Sequence, residues 1–454
     1  YFEVVKHAFL PAIISYIALF YISHLEALKL NLKGMDENDI PKLKKTFFEG
    51  IHFLVPIFVL IYLLVYMRLT ASYSIFFATI TLIIVNLLNK IFKEKNFKNA
   101  LIYWYNQTVV GFEKGALNMV SVGIAIATAG IIVGAVGSTG LSTNLIIVIE
   151  SIAKDNVIIL LFLTIILCLL LGMGLPTTAN YVVVASLMAT VLVDVGNASG
   201  FIFPLIAVHL FVFYFGLMAD VTPPVGLASY AAAAISGGDP LRTGAQAFWY
   251  SLRTGILPIV FLFNSELLLI GIESIWHGLM VIATSLIGIL VFTSATQGWF
   301  INKLRWYEIV IFLIISISLL SPEFILNKFY PKYNYLSIEE INKKQFDYNK
   351  EIRIKITRLT EYGERYKLFV IEKNSFDENF SLDDYGMSLV VEDNKTIIDT
   401  LKWNGIAKKS GLDMGDIINE FKIENQNRPK KEIIYPIALI LLSIFGYLNI
   451  RRRI

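Results

Sequence analysis

The chain has 454 residues, of which 56% are hydrophobic and only 17% are charged, against roughly 25% charged residues in soluble globular proteins. Its mean hydropathy of +0.64 excludes an ordinary soluble protein, and its net charge of +3 is too small to indicate nucleic-acid binding. The single cysteine excludes an intrachain disulfide, so Cys168 is interpreted as a small apolar packing residue.

Long apolar stretches recur along the chain, and several approach the roughly 20 residues that an α-helix needs to cross a bilayer. Hydrophobicity predicts membrane spans near residues 8–23, 52–67, 72–92, 157–173, 200–218, 246–271, 277–298, 304–321 and 433–450. The segments between them are apolar but interrupted by polar residues. We therefore expect an all-α polytopic membrane protein with broken helices.

Lysines concentrate in two loops, residues 29–45 and residues 90–98. Two predicted spans separate these loops, so both lie on one side of the membrane, and positively charged loops favour the cytoplasmic side. Lys303 and Arg305 place a later loop on that side as well. The polar stretch 323–432 is then predicted to be extracytoplasmic, and the C-terminal helix returns the terminal arginines to the cytoplasm.

The apolar sequence is interrupted at LGMGLPTTANY, residues 171–181. Irregular backbone at membrane depth survives only inside protein or beside a water-filled cavity, because lipid cannot satisfy its polar groups. The residues that break the helix or supply oxygen atoms are Gly172, Gly174, Pro176, Thr177, Thr178 and Asn180. The apolar stretch that follows looks too short to span, so a re-entrant hairpin is favoured over a proline kink satisfied by neighbouring helices.

A second interruption lies in FYFGLMADVTPPVGLASYAAAAISGGDP. Asp220 ends an apolar span, Pro223 and Pro224 prevent a regular helix, and a helix of small residues follows. An ionisable residue in such a place indicates a functional site, and a simple proline kink is the alternative. Two interrupted segments with polar tips are typical of a transport site at the bilayer midplane, which holds an anion at half-helix N-termini and a cation such as Na⁺ on oxygen atoms.

Three further polar residues are near these breaks in the sequence. His209 lies on the helix that leads to Asp220, where packing is favoured over a proton-relay role. Arg242 and Arg253 follow the second break, near a predicted helix boundary. Arg253 is able to pair with a substrate carboxylate, but extension of the side chain to the membrane interface is the commoner behaviour of such residues.

The polar stretch 323–432 predicts one soluble domain, with about 110 residues for a small core. The runs EIRIKITRL and YKLFVIEK alternate as half-buried strands do. Gly386 opens another apolar strand, and GIAKKSGLDMGDIINEF predicts a turn, a short helix, a turn and a strand. This pattern resembles a small α+β PDZ-like module, whose glycine-opened loop presents backbone N–H groups to a peptide carboxylate. A PDZ-shaped domain without a peptide ligand is the other interpretation.

Five stretches resemble the large permease of tripartite ATP-independent periplasmic (TRAP) transporters, particularly the fused permeases that are paired with TAXI-type binding proteins. They are HAFLPAIISYIALFYISHLEALKLNLKG, AGIIVGAVGSTGL, LGMGLPTTANYVVVASL, AVHLFVFYFGLMADVTPPVGLASYAAAAISGGDPLRTG and LPIVFLFNSELLL. Together they cover most of residues 4–271. The motifs GMGLPTTANY and ADVTPPVGLASYAAA are the most specific of them.

The resemblance implies an elevator-type secondary transporter of the bacterial cytoplasmic membrane, with the fold of the second repeat of such ion transporters. It implies uptake of small organic anions such as C4-dicarboxylates, driven by a Na⁺ gradient and supplied by an extracytoplasmic binding protein. One hairpin tip would contain the residues of the first interruption, Gly172, Gly174, Pro176, Thr177, Thr178 and Asn180. The facing break would contain Asp220, Thr222, Pro223 and Pro224, with Asp220 and Thr222 as side-chain ligands of Na⁺ beside backbone carbonyls.

The sequence departs from this family in one respect. TRAP permeases build their site from two inverted repeats, whereas one copy of each broken element is found here. We therefore expect either a segment before Tyr1 that carries the first repeat or a second chain that supplies the other half of the site. The predicted divisions are membrane helices at 1–110, a permease core at 111–275, further membrane helices at 276–322, the extracytoplasmic domain at 323–432 and a C-terminal helix at 433–454.

Two other functional classes fit parts of the sequence. A PDZ-like module beside membrane spans is typical of intramembrane proteases, but the chain contains neither H-E-x-x-H nor G-x-S-x-G, so an enzyme is disfavoured. It contains no Walker A loop either, so ATP is not expected to be its direct energy source. A non-transporting sensor or scaffold derived from a permease stays open and predicts neither uptake nor stabilisation by Na⁺.

Overall fold

The computed structural model shows a mostly helical protein with one small β-sheet. It describes residues 2–34, 36, 40–93, 97–139, 152, 156–172, 177–198, 201–223, 226–336, 351–360, 363–372, 386–392, 395–425 and 427–452. Of the predicted site residues, Gly174, Pro176 and Pro224 lie outside these ranges.

The α-helices follow the predicted spans closely. They are α1 (Phe2–Lys29), α2 (Leu43–Gly50), α3 (Leu54–Ile61), α4 (Ala71–Lys93), α5 (Phe97–Ser138), α6 (Val157–Gly172), α7 (Thr177–Ala198), α8 (Leu205–Ala219), α9 (Leu227–Ser236), α10 (Pro240–Phe263), α11 (Ile275–Gln297), α12 (Trp306–Leu320), α13 (Pro322–Phe329), α14 (Ile406–Lys409) and α15 (Ile434–Arg451). Single helical turns at Ile51–Phe53, Tyr62–Tyr66, Ser265–Leu268 and Lys431–Ile433 flank some of them.

Six helical stretches of the described chain are long and apolar enough to cross a membrane. They are Phe2–Lys29, Leu43–Tyr66, Ala71–Phe92, Thr177–Gly196, Ile275–Gln297 and Lys431–Arg451. The pair α12 and α13, which bends by 96°, makes a seventh if it is counted as one span. The predicted polytopic membrane protein is thereby confirmed.

Helices α7 and α5 differ most from the prediction. Helix α7 has 22 residues and meets the length needed to span, so the expectation of a segment too short to cross is wrong. Its last turns contain Asp194 and Asn197, whose polarity made the apolar run look shorter than the helix is. Helix α5 has 42 residues and continues through residue 110, the predicted end of the first division. Polar residues around position 107 interrupt its hydrophobicity but not its backbone.

Local signals explain several helix ends. The Asp239 carboxylate accepts a hydrogen bond from the backbone N–H of Arg242 (2.7 Å) and caps α10, with Pro240 at its first position. Ser274 caps α11 by accepting from the N–H of His277 (3.1 Å). Gly298, with φ of +63°, ends α11 in the left-handed conformation. The Asp239 cap and Pro240 place the start of α10 at residue 240, earlier than the predicted 246.

The main apolar core lies among α1, α6, α7, α8 and α10. Helix α8 packs against α6, α7 and α10. Its side chain Phe211 is completely buried, as are Met188 of α7 and Phe261 of α10. A helix that is apolar on all sides, as α8 is, must be covered by other helices. The core therefore holds the C-terminal end of α8 in a fixed position.

The helices α3 and α4 lie outside this core. Only 6% of the apolar window of Leu43–Tyr66 is buried inside the protein, and none of that of Ala71–Phe92. The two helices pack against each other, α4 also contacts α5, and most of their remaining apolar surface is open. In a membrane, such apolar faces contact the acyl chains of lipids.

The C-terminal helices form a second packed group that contacts the core. Helix α12 packs closely on α11, because Gly288 allows Leu320 to approach, and the Ser316 hydroxyl donates to the Gly288 carbonyl (2.8 Å). Helix α11 also packs on α1, where the hydroxyls of Tyr21 and Ser294 share a hydrogen bond (3.0 Å). The two groups of helices are therefore one continuous assembly in the described chain.

An acidic residue joins the same two groups. Glu266, in the turn after α10, forms an ion pair with Lys431, at the start of the C-terminal helix. The Nε2 atom of His277 lies 3.3 Å from the same Glu266 carboxylate oxygen. This contact ties the N-terminal ends of α11 and α15 to the end of α10.

The polar domain contains an antiparallel sheet. Its strands are β1 (Tyr333–Leu336), β2 (Glu351–Thr360), β3 (Gly363–Glu372), β4 (Met387–Glu392), β5 (Lys395–Leu401) and β6 (Ile417–Glu424). The strand order is β3-β2-β6-β5-β4, and β1 also pairs with β6. Strands β2 and β3 contain the predicted runs, and Gly386, with φ of +69°, opens β4. The predicted turn, short helix, turn and strand are confirmed at residues 402–424.

One ion-pair cluster stabilises the end of the sheet. The Arg358 guanidinium donates two hydrogen bonds to the Asp416 carboxylate (both 2.7 Å), and the Asp416 side chain is almost completely buried. The Lys408 ammonium and the Arg358 guanidinium hold the pKa of Asp413 below its usual value. Such a bidentate pair is worth more than an ordinary surface ion pair, because both partners are partly removed from water.

Candidate functional site

The first predicted break lies between α6 and α7, which are joined by only four residues and pack against each other. Two helices that pack together across so short a connection run antiparallel. Gly172, the last residue of α6, is buried where they meet. The oxygen-bearing residues Thr177 and Thr178 form the first turn of α7, and Thr178 is exposed.

Asn180 is the most buried polar residue of this break, with no exposed surface. Its Nδ2 atom donates to the carbonyl oxygen of Cys168 in α6 (3.2 Å). Its Oδ1 atom is buried and has no hydrogen-bond partner in the described chain. An unpaired buried oxygen is costly in a membrane interior. Asn180 thus holds the two hairpin helices together and keeps one acceptor free.

The second predicted break follows α8 as a tight turn. Among the residues that the structure describes, the carbonyl oxygens of Asp220, Val221 and Thr222 each accept one hydrogen bond, from Ala228 N (3.2 Å), Ser229 Oγ (3.1 Å) and Gly226 N (3.0 Å) respectively. Each carbonyl therefore keeps one lone pair for a further ligand. The Thr222 hydroxyl donates to the Met218 carbonyl (2.6 Å), so its own lone pairs are also free.

The structure brings the two breaks into contact. A Cβ atom placed on Gly172 would lie 2.3 Å from Cβ of Ala219 and 2.5 Å from Nδ2 of Asn180. Ala219 is the last residue of α8 and directly precedes Asp220. Only a glycine allows the end of α6, the first turn of α7 and the end of α8 to meet this closely. Asp220 and Asn180, 40 positions apart in the sequence, thus belong to one site.

The carboxylate of Asp220 is half-buried and forms neither an ion pair nor a hydrogen bond with any described residue. The C-terminal ends of α6 and α8 meet beside it, and helix C-termini carry partial negative charge that favours a cation. The N-terminus of α7 meets the same point with partial positive charge, which favours an anion. The site therefore combines a cation-binding pole and an anion-binding pole.

Two contacts near the site were not predicted from the sequence. The Tyr181 hydroxyl and Nδ1 of His209 share a hydrogen bond (3.0 Å), so His209 connects α8 to the hairpin in addition to packing. Ser229 is almost completely buried and fixes the start of α9 on the second break. Hydrogen bonds between side chains distant in sequence leave no local pattern, whereas Tyr181 could have been noticed because it directly follows Asn180.

Arg253 is buried instead of reaching the membrane interface, and it lies in the middle of α10 rather than at a helix boundary. Its exposure is 8%, its guanidinium donates to the Tyr250 carbonyl, and its Nε atom has no partner in the described chain. Helix α10 continues to pack on α8 there, since Gly255 meets Met218. The prediction of an interfacial side chain is thereby corrected. A buried guanidinium without a carboxylate partner is a strong attractor of anions.

Residues 1–276 match the family model described as "Tripartite ATP-independent periplasmic transporter, DctM component". The match covers more than half of the 454 residues. The chain belongs to the DctM family of TRAP permeases. Both breaks of the site lie inside the matched region, as the resemblance of their motifs predicts.

Membership of the DctM family makes the protein the membrane permease of a secondary transporter and not an enzyme. Permeases of this family work with an extracytoplasmic solute-binding protein. Residues 278–454 match a second family model, a domain of unknown function designated DUF3394. No curated protein and no solved structure matches the chain. The Glu266–Lys431 ion pair thus connects the DctM region to the DUF3394 region.

Proposed function

We propose that this permease takes up small organic anions by Na⁺ symport, in an elevator-type mechanism, from a TAXI-type binding protein. The observation that supports this most directly is the Asp220 carboxylate, which has no partner in the described chain and lies where two broken helices meet. A carboxylate at membrane depth is unfavourable without a cation. A coupling ion that arrives with the substrate supplies that cation.

The proposed Na⁺ ligands are oxygen atoms of the second break. The side-chain ligands are the Asp220 carboxylate and the Thr222 hydroxyl, and the remaining lone pairs of the carbonyls at 220–222 complete the set. Hard cations prefer oxygen ligands of this kind. Asn180 Oδ1, which is buried without a partner, is a further acceptor on the opposite side of the contact. The turn is already ordered by its hydrogen bonds to α9, so the ligands need little rearrangement.

The proposed anion site lies at the first turn of α7. The backbone N–H groups of Thr177 and Thr178 have no intrahelical acceptor, because they are at a helix N-terminus. Together with the positive end of the helix dipole, they favour a carboxylate of the substrate. Gly174 and Pro176, which lie outside the described residues, are proposed as the rest of this tip, and Pro223 and Pro224 as the rest of the second break.

We place the protein in the bacterial cytoplasmic membrane, with residues 323–432 extracytoplasmic and the arginine tail cytoplasmic. The lysine-rich loops support this orientation. The sheet domain is proposed to be PDZ-like, which its glycine-opened strand β4 at the sheet edge supports. On the extracytoplasmic side, this domain would lie on the same face as the binding protein.

Uptake by the purified permease tests the proposal. The full-length gene product and its binding protein are reconstituted in liposomes, and accumulation of a panel of radiolabelled carboxylates is measured with and without an inward Na⁺ gradient. We expect accumulation only with the gradient and the binding protein together. The binding protein supplies the anion, and burial of the anion and of Na⁺ is favourable only when their charges offset each other. If a ligand held by the binding protein is not transported, the sensor interpretation is favoured. If uptake is independent of Na⁺, the proposed coupling ion is wrong.

Arg253→Met gives a second test, aimed at the substrate. Methionine fills similar volume, and replacing a buried unpaired charge by an apolar side chain is often neutral or stabilising. We expect the apparent Tm to be unchanged or higher, and uptake to fall by about tenfold or more through loss of a charge-assisted contact with the anion. Arg242→Met, on the exposed first turn of the same helix, is the matched control. Equal uptake by the two variants would exclude Arg253 from anion binding.

A further inference from the structure

A basic cavity lies at the start of the lipid-facing helices. Its volume is about 630 Å³, and its lining includes the side chains of Lys42, Lys44 and Lys45 at the beginning of α2. Asn89 of α4 lines it from the other side and donates through Nδ2 to Nε2 of His52 (2.8 Å). The cavity thus lies between two helices that are distant from the breaks in sequence and belong to no part of the site described above.

The charge of this lining is not compensated. The described lining contains one carboxylate, that of Glu49, beside the three lysines, and none of the three ammonium groups forms an ion pair or hydrogen bond with a described residue. His52 adds a donor, since a neutral imidazole that accepts at Nε2 carries its proton on Nδ1. Several ammonium groups around a cavity of ligand size are suited to a phosphate oxyanion.

The surroundings of the cavity are apolar and exposed. Leu43, Phe47 and Phe48 are 84%, 51% and 61% exposed on α2. The spans that begin here bury almost none of their apolar surface inside the protein, as described above. An occupant must therefore bring an anionic group to the lysines and long apolar chains to the helices beside them. A phospholipid with an anionic headgroup has both the anionic group and the apolar chains, whereas a soluble phosphate has only the anionic group.

We propose that the cavity formed by Lys42, Lys44, Lys45, His52 and Asn89 is a binding site for the phosphate of an anionic phospholipid. The acyl chains lie along α3 and α4. The lipid anchors the N-terminal end of α2 at the boundary between water and hydrocarbon. This site is independent of the transport function proposed above, because it uses neither break.

Lipid titration of the purified full chain tests this proposal. In nanodiscs of phosphatidylcholine with increasing phosphatidylglycerol, the apparent Tm and the number of lipids retained in native mass spectrometry are measured. The variant Lys42→Gln/Lys44→Gln/Lys45→Gln is compared with the control Lys328→Gln/Lys395→Gln/Lys409→Gln, which removes the same charge from exposed positions of the C-terminal part. We expect the first variant to need about tenfold more phosphatidylglycerol for half-maximal effect, and the control to match the wild type.

Two further arms separate the outcomes. Asn89→Ala keeps every charge but removes a lining side chain and its hydrogen bond to His52. A loss of lipid retention in this variant therefore assigns the site to the cavity and covers the case in which the triple variant fails to fold. Inorganic phosphate is added to the wild type in place of lipid. Stabilisation by phosphate alone, equal to that by phosphatidylglycerol, would overturn the lipid proposal in favour of a soluble anion. Equal lipid dependence of the wild type and the Lys42/Lys44/Lys45 variant would overturn the site itself.

Discussion

Asp220→Asn is expected to lower Na⁺-dependent uptake by roughly tenfold to a hundredfold, the range that corresponds to loss of one charged contact of about 1.5–3 kcal/mol. Asparagine keeps the shape and one carbonyl oxygen but removes the negative charge. The carboxylate has no partner in the described chain, so its loss breaks no internal interaction. Initial uptake rates over a range of Na⁺ concentrations measure the effect. The apparent affinity for Na⁺ should fall, whereas the expression level and the Tm should change little.

The matched control for this prediction is Asp239→Asn. Asp239 is a nearby carboxylate that caps α10, and asparagine is an equally good N-cap. Both variants therefore make the same chemical change, one at each side of α9 in the sequence. If Asp220→Asn retains the Na⁺ dependence of the wild type, or if both variants lose it equally, Asp220 is not an ion ligand.

Gly172→Ala is expected to abolish uptake and to destabilise the permease by about 1–3 kcal/mol, the usual cost of overpacking. The added Cβ would overlap Cβ of Ala219, which no side-chain rotation can move, and would displace the Asn180 amide. The ends of α6 and α8 must then separate, and the contact between the two breaks opens. Thermal unfolding and uptake are both measured.

Two variants sharpen this second prediction. Gly172→Ala combined with Ala219→Gly removes the closest overlap, so part of the lost stability and uptake should return, as a coupling energy between the two positions. Gly115→Ala, in α5 where nothing lies within 4 Å of the added Cβ, should be neutral or slightly stabilising. A double variant as inactive as Gly172→Ala would mean that the Gly172–Ala219 contact is not what the substitution disturbs.

The sequence predicted the apolar elements well, because burial in lipid requires long continuous apolar runs that composition reveals directly. It failed where polar residues lie within a helix. Helix α7 runs past Asp194, and α5 past the polar residues near position 107, since backbone hydrogen bonds do not depend on the polarity of the side chains. Hydropathy measures the surroundings of a helix and only indirectly its length.

At the site, too, the sequence predicted what depends on neighbouring residues and missed what depends on contacts between distant ones. Glycines, prolines and an aspartate within apolar sequence marked both breaks, because each of these residues has a strong local effect on the backbone. That Gly172 touches Ala219, or that Asn180 keeps an unpaired oxygen, depends on how α6, α7 and α8 pack. The position of Arg253 was missed for this reason as well: one arginine has the same sequence signal whether it reaches water or is buried among helices.

Strand β3 of the polar domain contacts helix α7, which follows the first break. The sheet is joined by covalent linkage to α13 on one side and to α15 on the other, so it stays with the C-terminal helices. If the proposed elevator motion carries the hairpin across the membrane relative to those helices, the contact with β3 breaks in one end state and forms again in the other. The DUF3394 domain would then stabilise one end state more than the other. Its removal would change the equilibrium ratio of the two end states without changing the ion site or the substrate site.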